Sequence, residues 1–417
     1  MRFILGSASA AALALGCGGA MAQGFDLGEI VVTATATPLA QNRTGSSIES
    51  FEADDELSVP GDLQLTDALQ RVPGVKIVQN GPAGTTADLQ IRGAQEQYTA
   101  VYVDGIKVND PSATSGQYGN FGAFGLGAVR GVEVLKGSQS ALYGGSAVAG
   151  VVNIFTLPDL DAAEGDRQRA DVMFGSYGTA AASYSFSRTR GDWALAFGLS
   201  HFGTDGFSAG DENRGNTEDD GARQTRFSFG VAWQATERLR IGINGFHSTG
   251  EAEFDEGTGF GAVDGTPGDE TGTRDETGLR AFATIDTGGA WSHEFAASWF
   301  NVERSQDSLS VAPGSSGTFA SRFEGESQRF DWQSTGQISQ DLRLSFGADF
   351  EKLTSKDTSI PGGRADTYNR GIFAEALFSP SADLDIVAML RHDDNSQFGG
   401  KTTGRLALSY RPTDALT

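Results

Sequence analysis

From about residue 167 onward, bulky apolar residues recur at every second position. Trp193, Leu195, Phe197 and Leu199 alternate with Ala194, Ala196, Gly198 and Ser200, and Phe227, Phe229, Val231 and Trp233 repeat the scheme. Leu239, Ile241 and Ile243, then Leu342, Leu344 and Phe346, carry it further. A period of two makes one face bulky and the other small or polar, which predicts long strands. Residues 45–158 are patterned differently. Leu65, Ala68, Leu69 and Val72 fall on one face of a helix over 63–72, stopped by Pro73-Gly74. Short β-rich runs follow at 75–78, 89–91, 100–103, 132–135 and 151–155. Asp104-Gly105, between Val101-Tyr102-Val103 and Ile106-Lys107-Val108, predicts a tight hairpin.

The connections between the long strands sort by length. About twelve strands fit between residues 167 and 412. Short turns at 190–192, 235–238, 288–289, 336–341 and 379–383 alternate with longer connections at 204–221, 251–275, 304–321, 354–366 and 393–400. In an up-and-down antiparallel barrel, successive connections emerge at opposite ends, so every longer one falls on the same side. That asymmetry is the mark of outer-membrane barrels, with short periplasmic turns and long extracellular loops. A sandwich also alternates along its inner faces, but it has no reason to sort its loops in this way.

Composition narrows the picture. Only 38% of the 417 residues are apolar, and no run approaches the ~18 consecutive apolar residues of a spanning helix. Lys and Arg total 31 against 54 Asp and Glu, a formal charge of −23, so a nucleic-acid partner is not expected. Met1-Arg2, the small and apolar stretch 3–20, and Ala20-Met21-Ala22 together predict a secretory signal peptide over 1–22. The only cysteine, Cys17, lies within it. The four histidines, His201, His247, His293 and His392, form no HExxH, and there is no nucleophile elbow, so an enzyme is not expected. A passive pore or adhesin is the other competitor, and the compact unit ahead of the strands argues against it.

Motifs in that unit identify a family. Leu65-Thr66-Asp67-Ala68-Leu69, Val72-Pro73-Gly74-Val75, Ile91-Arg92-Gly93 and Tyr102-Val103-Asp104-Gly105 occur in order. They are followed by Val132-Glu133-Val134-Leu135-Lys136-Gly137, Ala141-Leu142-Tyr143-Gly144 and Gly150-Val151-Val152-Asn153-Ile154. The ordered set resembles the TonB-dependent outer-membrane receptors, which carry an N-terminal plug inside a barrel. The implied organisation is a signal peptide (1–22), an arm with a TonB box (23–44), a plug (45–158) and a transmembrane antiparallel β-barrel (159–417). Glu29, Ile30, Val31, Val32, Thr33 and Ala34 resemble the TonB box. The partner implied is TonB, driven by the inner-membrane proton gradient; the surroundings implied are outer-membrane lipid.

Within that family, Gln79-Asn80-Gly81, Asp205-Gly206, Asp220-Gly221 and Asp393-Asp394-Asn395-Ser396-Gln397-Phe398-Gly399 resemble the cobalamin transporters. The implied ligand is cobalamin, with a ferric siderophore as the alternative. By motif position, Thr86, Asp88, Gln95, Thr114 and Ser115 are the implied substrate contacts; read alone, they are equally solvated loop residues. Loops 204–221 and 251–275 are rich in carboxylates, which read either as a solvated acidic face or as hard oxygen ligands suited to calcium. The resemblance implies calcium at Asp205, Glu218, Asp220, Asp255 and Asp264, with Glu218 standing where the family usually has Asp.

Twelve strands raise a problem of size. At ~4.8 Å between strands and ~40° tilt, a closed twelve-strand barrel is roughly 24 Å across its backbone. A plug of this length, taken as a sphere, measures roughly 34 Å. The 22-stranded transporters can hold one. The sequence therefore predicts about 12 strands of an expected 22, the N-terminal portion of a longer receptor.

Overall fold

A computed structural model of the chain describes residues 30–31, 35–37, 39–52, 62, 64–79, 81–114, 116–158, 160, 164–208, 219–254, 270–312, 315–357 and 360–412. The signal-peptide segment lies outside the described residues.

The helix Leu65–Gln70 buries Leu65, Ala68 and Leu69. Its first turn is closed by a reciprocal cap, in which the Gln64 amide donates to Asp67 Oδ2 at 2.9 Å. Gly74, at φ +83°, turns the chain into the hairpin of Val75–Gln79 and Ala87–Ile91. A five-stranded sheet orders Ser47–Glu52, Gly131–Lys136, Gly150–Phe155, Thr99–Val103 and Ile106–Lys107 side by side. Gly150–Phe155 and Thr99–Val103 run parallel, and the other neighbours are antiparallel. Asp104 and Gly105, at φ +48° and +78°, form the tight turn that their sequence predicts. The core joins the helix to Val101, Val103, Val132, Val134, Val152 and Ile154, and extends without a break to Phe246, Phe300 and Val302 of the long strands.

Twelve long strands, from Gly165–Phe174 to Gly399–Tyr410, form one antiparallel sheet in sequence order. Side-chain volume sorts its two faces. Trp193 and Leu199 are 52% and 51% exposed on the outer face, while Ala194 and Ala196 are 4% and 3% exposed beneath them. The small face is turned to the α/β unit, where bulky residues would collide: a Cβ on Gly127 would lie 2.8 Å from Ser183 Oγ. Arg226 crosses this boundary as a buried cation, its guanidinium 4.8 Å from the ring centre of Phe124 and 4.0 Å from that of Phe246. Among the described residues the sheet does not close on itself, and Gly165–Phe174 and Gly399–Tyr410 are its edges.

Two predicted loops are strand instead. The connection expected at 304–321 is the crossing of Trp291–Ala312 into Ser315–Gln337. That expected at 393–400 shrinks to the three residues between Leu384–Asn395 and Gly399–Tyr410. Backbone ladders run on through polar sequence because their hydrogen bonds do not depend on apolar side chains. Asn395 closes the second turn, its Oδ1 accepting from the Gln397 and Phe398 amides at 2.9 and 3.2 Å.

Candidate functional site

The N-terminal arm marks one end of the molecule. Ile30–Val31 pairs antiparallel with Leu39–Ala40; Glu29, Val32, Thr33 and Ala34 lie outside the described residues. Beyond the residues that resemble a TonB box, Ala36 donates its amide to Glu375 at 3.3 Å, and its carbonyl accepts from Gln333. Arg343 Nη1 donates to Thr37 Oγ1 at 2.8 Å. Arg43 then grips Asp385 with both arms of its fork, at 3.0 and 2.7 Å. These barrel positions lie toward the ends joined by short turns, so the arm sits at the periplasmic side.

The opposite end holds a cavity of about 280 Å³ between the plug loops and the barrel wall. Gly84, Thr85, Thr86, Gly119 and Asn120 line it on the plug side, with Gln224, Phe254, Arg274 and Arg304 facing them. Two plug loops are zipped together to make its floor. Gly84 donates to the Gly122 carbonyl at 3.1 Å and Ala87 to that of Gly119 at 3.0 Å. A Cβ on Gly122 would lie 2.9 Å from the Thr85 carbonyl oxygen, so only glycine permits this approach.

Asp110 fastens the floor to the wall. Its Oδ1 accepts from the Ser112 amide and hydroxyl at 2.7 and 2.6 Å. Oδ2 lies 2.8 Å from Arg304 Nε and 3.7 Å from Arg274 Nη1. Arg274 Nε in turn meets Glu276 Oε1 at 2.6 Å. The two guanidiniums thus reach the cavity with their positive charge balanced by carboxylates behind them. Sequence reasoning missed Asp110, Arg274 and Arg304. The Asp-Pro-Ser turn at 110–112 and the inward parity of 274 and 304 are the signals that point to them.

The five implied substrate contacts separate. Thr86 is exposed at the cavity, and Thr114 is exposed on the loop beside it without lining it. Gln95 is exposed and accepts from Gln97 Nε2 at 2.7 Å, again away from the lining. Asp88 is part of the strand Ala87–Ile91, half-buried under the loop, with Oδ1 lacking a hydrogen-bond partner. Burial, reinforced by the charge of Glu96, raises its carboxyl above the ordinary aspartate range. Ser115 lies outside the described residues.

Of the implied calcium ligands, Asp205 and Asp220 meet at the stem of one loop. Gly206, at φ +71°, lies so close to the Asp220 carbonyl that no side chain fits between them. The neighbouring Gly221 amide donates to Glu253 Oε2 at 2.8 Å. Glu218, Asp255 and Asp264 lie outside the described residues. Among the described residues, no group of three or more His, Cys, Asp or Glu is arranged to hold a metal ion.

An α/β plug set against an antiparallel sheet of outward-facing apolar strands defines a class, and comparison with known proteins agrees. The chain belongs to the TonB-dependent receptors, outer-membrane β-barrel proteins of Gram-negative bacteria. The family model of the TonB-dependent receptor plug domain matches residues 40–151, and that of the TonB-dependent receptor-like β-barrel matches 244–417. The chain is similar to the vitamin B12 transporter BtuB of Photobacterium profundum, 26% identical over 361 residues, covering 84% of this chain and 54% of that one. Its fold is similar to the siderophore receptor PirA of Acinetobacter baumannii, with TM-score 0.71 and 17% identity over 88% of this chain and 59% of that one. It is also similar to the ferric enterobactin receptor PfeA of Pseudomonas aeruginosa, with TM-score 0.69 and 16% identity over 88% and 61%. The chain thus spans between about half and three-fifths of the length of these relatives.

Proposed function

We propose that the protein takes part in TonB-dependent uptake of a large, scarce nutrient across the outer membrane, and that the nutrient is cobalamin. The observation that carries the reading is the division of the molecule into two ends. A cavity faces the side of the longer connections, and the arm with the TonB-box residues lies on the other, with the plug between them. Such an arrangement suits a ligand received outside and a partner engaged inside, where an extended segment offers its backbone to a sheet edge. Cobalamin is supported by the likeness to a vitamin B12 transporter and by the loop motifs around Gln79-Asn80-Gly81 and Asp393–Gly399. Calcium at Asp205 and Asp220, completed by the acidic loop residues, belongs to the same reading.

A ferric siderophore is the second reading, favoured by Arg274 and Arg304 at the cavity. Anionic chelates gain charge-assisted hydrogen bonds there, which a neutral corrinoid does not need. Titration of the refolded chain with cyanocobalamin and with ferric catecholates, each with and without calcium, separates the two. Cobalamin transport predicts saturable corrinoid binding, strengthened by calcium. Saturable binding of the ferric chelate alone would replace cobalamin with a siderophore.

A further inference from the structure

The lipid-facing surface of the barrel is not uniformly bulky. Across the strands Thr271–Asp286, Trp291–Ala312, Ser315–Gln337, Leu342–Asp357 and Arg364–Ser381, two adjacent cross-strand rows set alanines among bulky residues. One row runs Ala281, Ala297, Phe330, Phe350 and Arg370; the next runs Ala283, Phe295, Trp332, Ala348 and Ile372. The alanines leave an open groove of about 740 Å³ with an almost wholly apolar lining. Phe295, Phe330 and Ile372 rise beside it, 46%, 56% and 62% exposed. Four inter-strand spacings make the groove about 19 Å long, enough for most of an extended hydrocarbon chain.

Its depth follows from the strand Arg364–Ser381. Tyr368 and Phe378 are exposed on the same face ten residues apart. At ~3.3 Å per residue and ~40° tilt they stand about 25 Å apart along the barrel axis, the height of the apolar band. Arg370 is one outward position below Tyr368, at the outer-leaflet boundary, and the tilt carries the groove obliquely downward from it toward Ala281 and Ala283. Arg370 is exposed. Asp394 stands across from it in register, yet among the described residues Arg370 forms no ion pair. Lys352, its diagonal neighbour on the same face, lies 4.0 Å from Asp366.

At this boundary a guanidinium can reach the headgroup level along its apolar stem, and its fork suits a phosphate. We propose that the groove binds one acyl chain of an anionic, phosphate-bearing lipid of the outer leaflet, with the phosphate held by Arg370. The groove accounts for chain selection and the cation for headgroup selection, so the two can be separated by substitution.

Native mass spectrometry of the refolded 417-residue chain, released from neutral detergent, tests this with phosphatidylglycerol and a diacylglycerol of identical chains, which lacks the phosphate. One retained phosphatidylglycerol is expected. Arg370→Gln should weaken its retention about fivefold while leaving that of the diacylglycerol unchanged. Ala297→Phe should fill the groove and abolish retention of both lipids, whereas Ala388→Phe, outward on another strand, should not. Far-UV circular dichroism confirms that each variant is folded. Equal retention by all variants would overturn the proposal, because the lipid would then be part of the general annulus. A species of doubled mass that Ala297→Phe dissolves would also overturn it, by making a second copy of the chain the occupant.

Discussion

At the scale of single residues, the plug shows how burial rather than residue type decides what a side chain does. Asp88 lies where the resemblance implies a ligand contact, yet it is half-buried, and desolvation raises its carboxyl above the ordinary range. A raised carboxyl means that the folded state holds its proton longer than the unfolded state does. Its contribution therefore becomes less favourable as pH rises from the unfolded aspartate range through the folded value. Asp88→Asn is expected to stabilise the protein at neutral pH, with the gain vanishing in acid below the aspartate range; denaturant titrations at both pH values measure this. An equal gain at both would show that the asparagine stabilises by packing. Glycines obey a similarly local logic. A Cβ on Gly150 would lie 2.2 Å from the Leu135 carbonyl oxygen, so the family-like Gly150-Val151-Val152 motif reflects sheet closeness before it reflects any function.

Among elements, period-two alternation located the strands and left their ends obscure. Hairpins at 304–321 and 393–400 continue as ladders because backbone hydrogen bonding persists where apolar alternation stops. The helix expected over 63–72 is Leu65–Gln70; its periodicity and Pro-Gly stop lie within one short stretch, and only its ends differ. The arm is the element on which the transport reading turns. Val31 pairs with Leu39, so this box edge is already occupied within the chain, and engagement of a partner on that edge requires the pairing to open. Val31→Pro removes an amide from the extended segment. It is expected to abolish uptake in cells while leaving ligand binding at the surface unchanged. Loss of surface binding would place the defect in the cavity instead.

At the largest scale, the described residues form twelve strands in one sheet laid against a plug, and their stability is not uniform. Central strands are hydrogen-bonded on both sides, whereas Gly165–Phe174 and Gly399–Tyr410 each have one partner strand. Hydrogen exchange of the refolded chain in detergent should therefore be fastest among the long strands at these two. Equal protection throughout would mean that the edges pair with each other or with another copy. Shared packing ties the halves together: Phe246, Phe300 and Val302 from the sheet belong to the same apolar core as the plug helix. Asp110 adds a charged tether to Arg304.

The sequence by itself determined the two-part organisation, the first plug helix and most plug strands though not Ser47–Glu52, the inward and outward faces of the strands and the family. Each of these is written in short-range periodicity or in contiguous motifs. Tertiary structure alone decided which residues share a site. The cavity unites Thr86 with Arg274 and Arg304, and the outer groove unites Ala281 with Arg370; both depend on strand register and tilt, which bring distant segments level. The −23 charge and the alternation could not reveal either, because neither contains information about which row of one strand faces which row of the next.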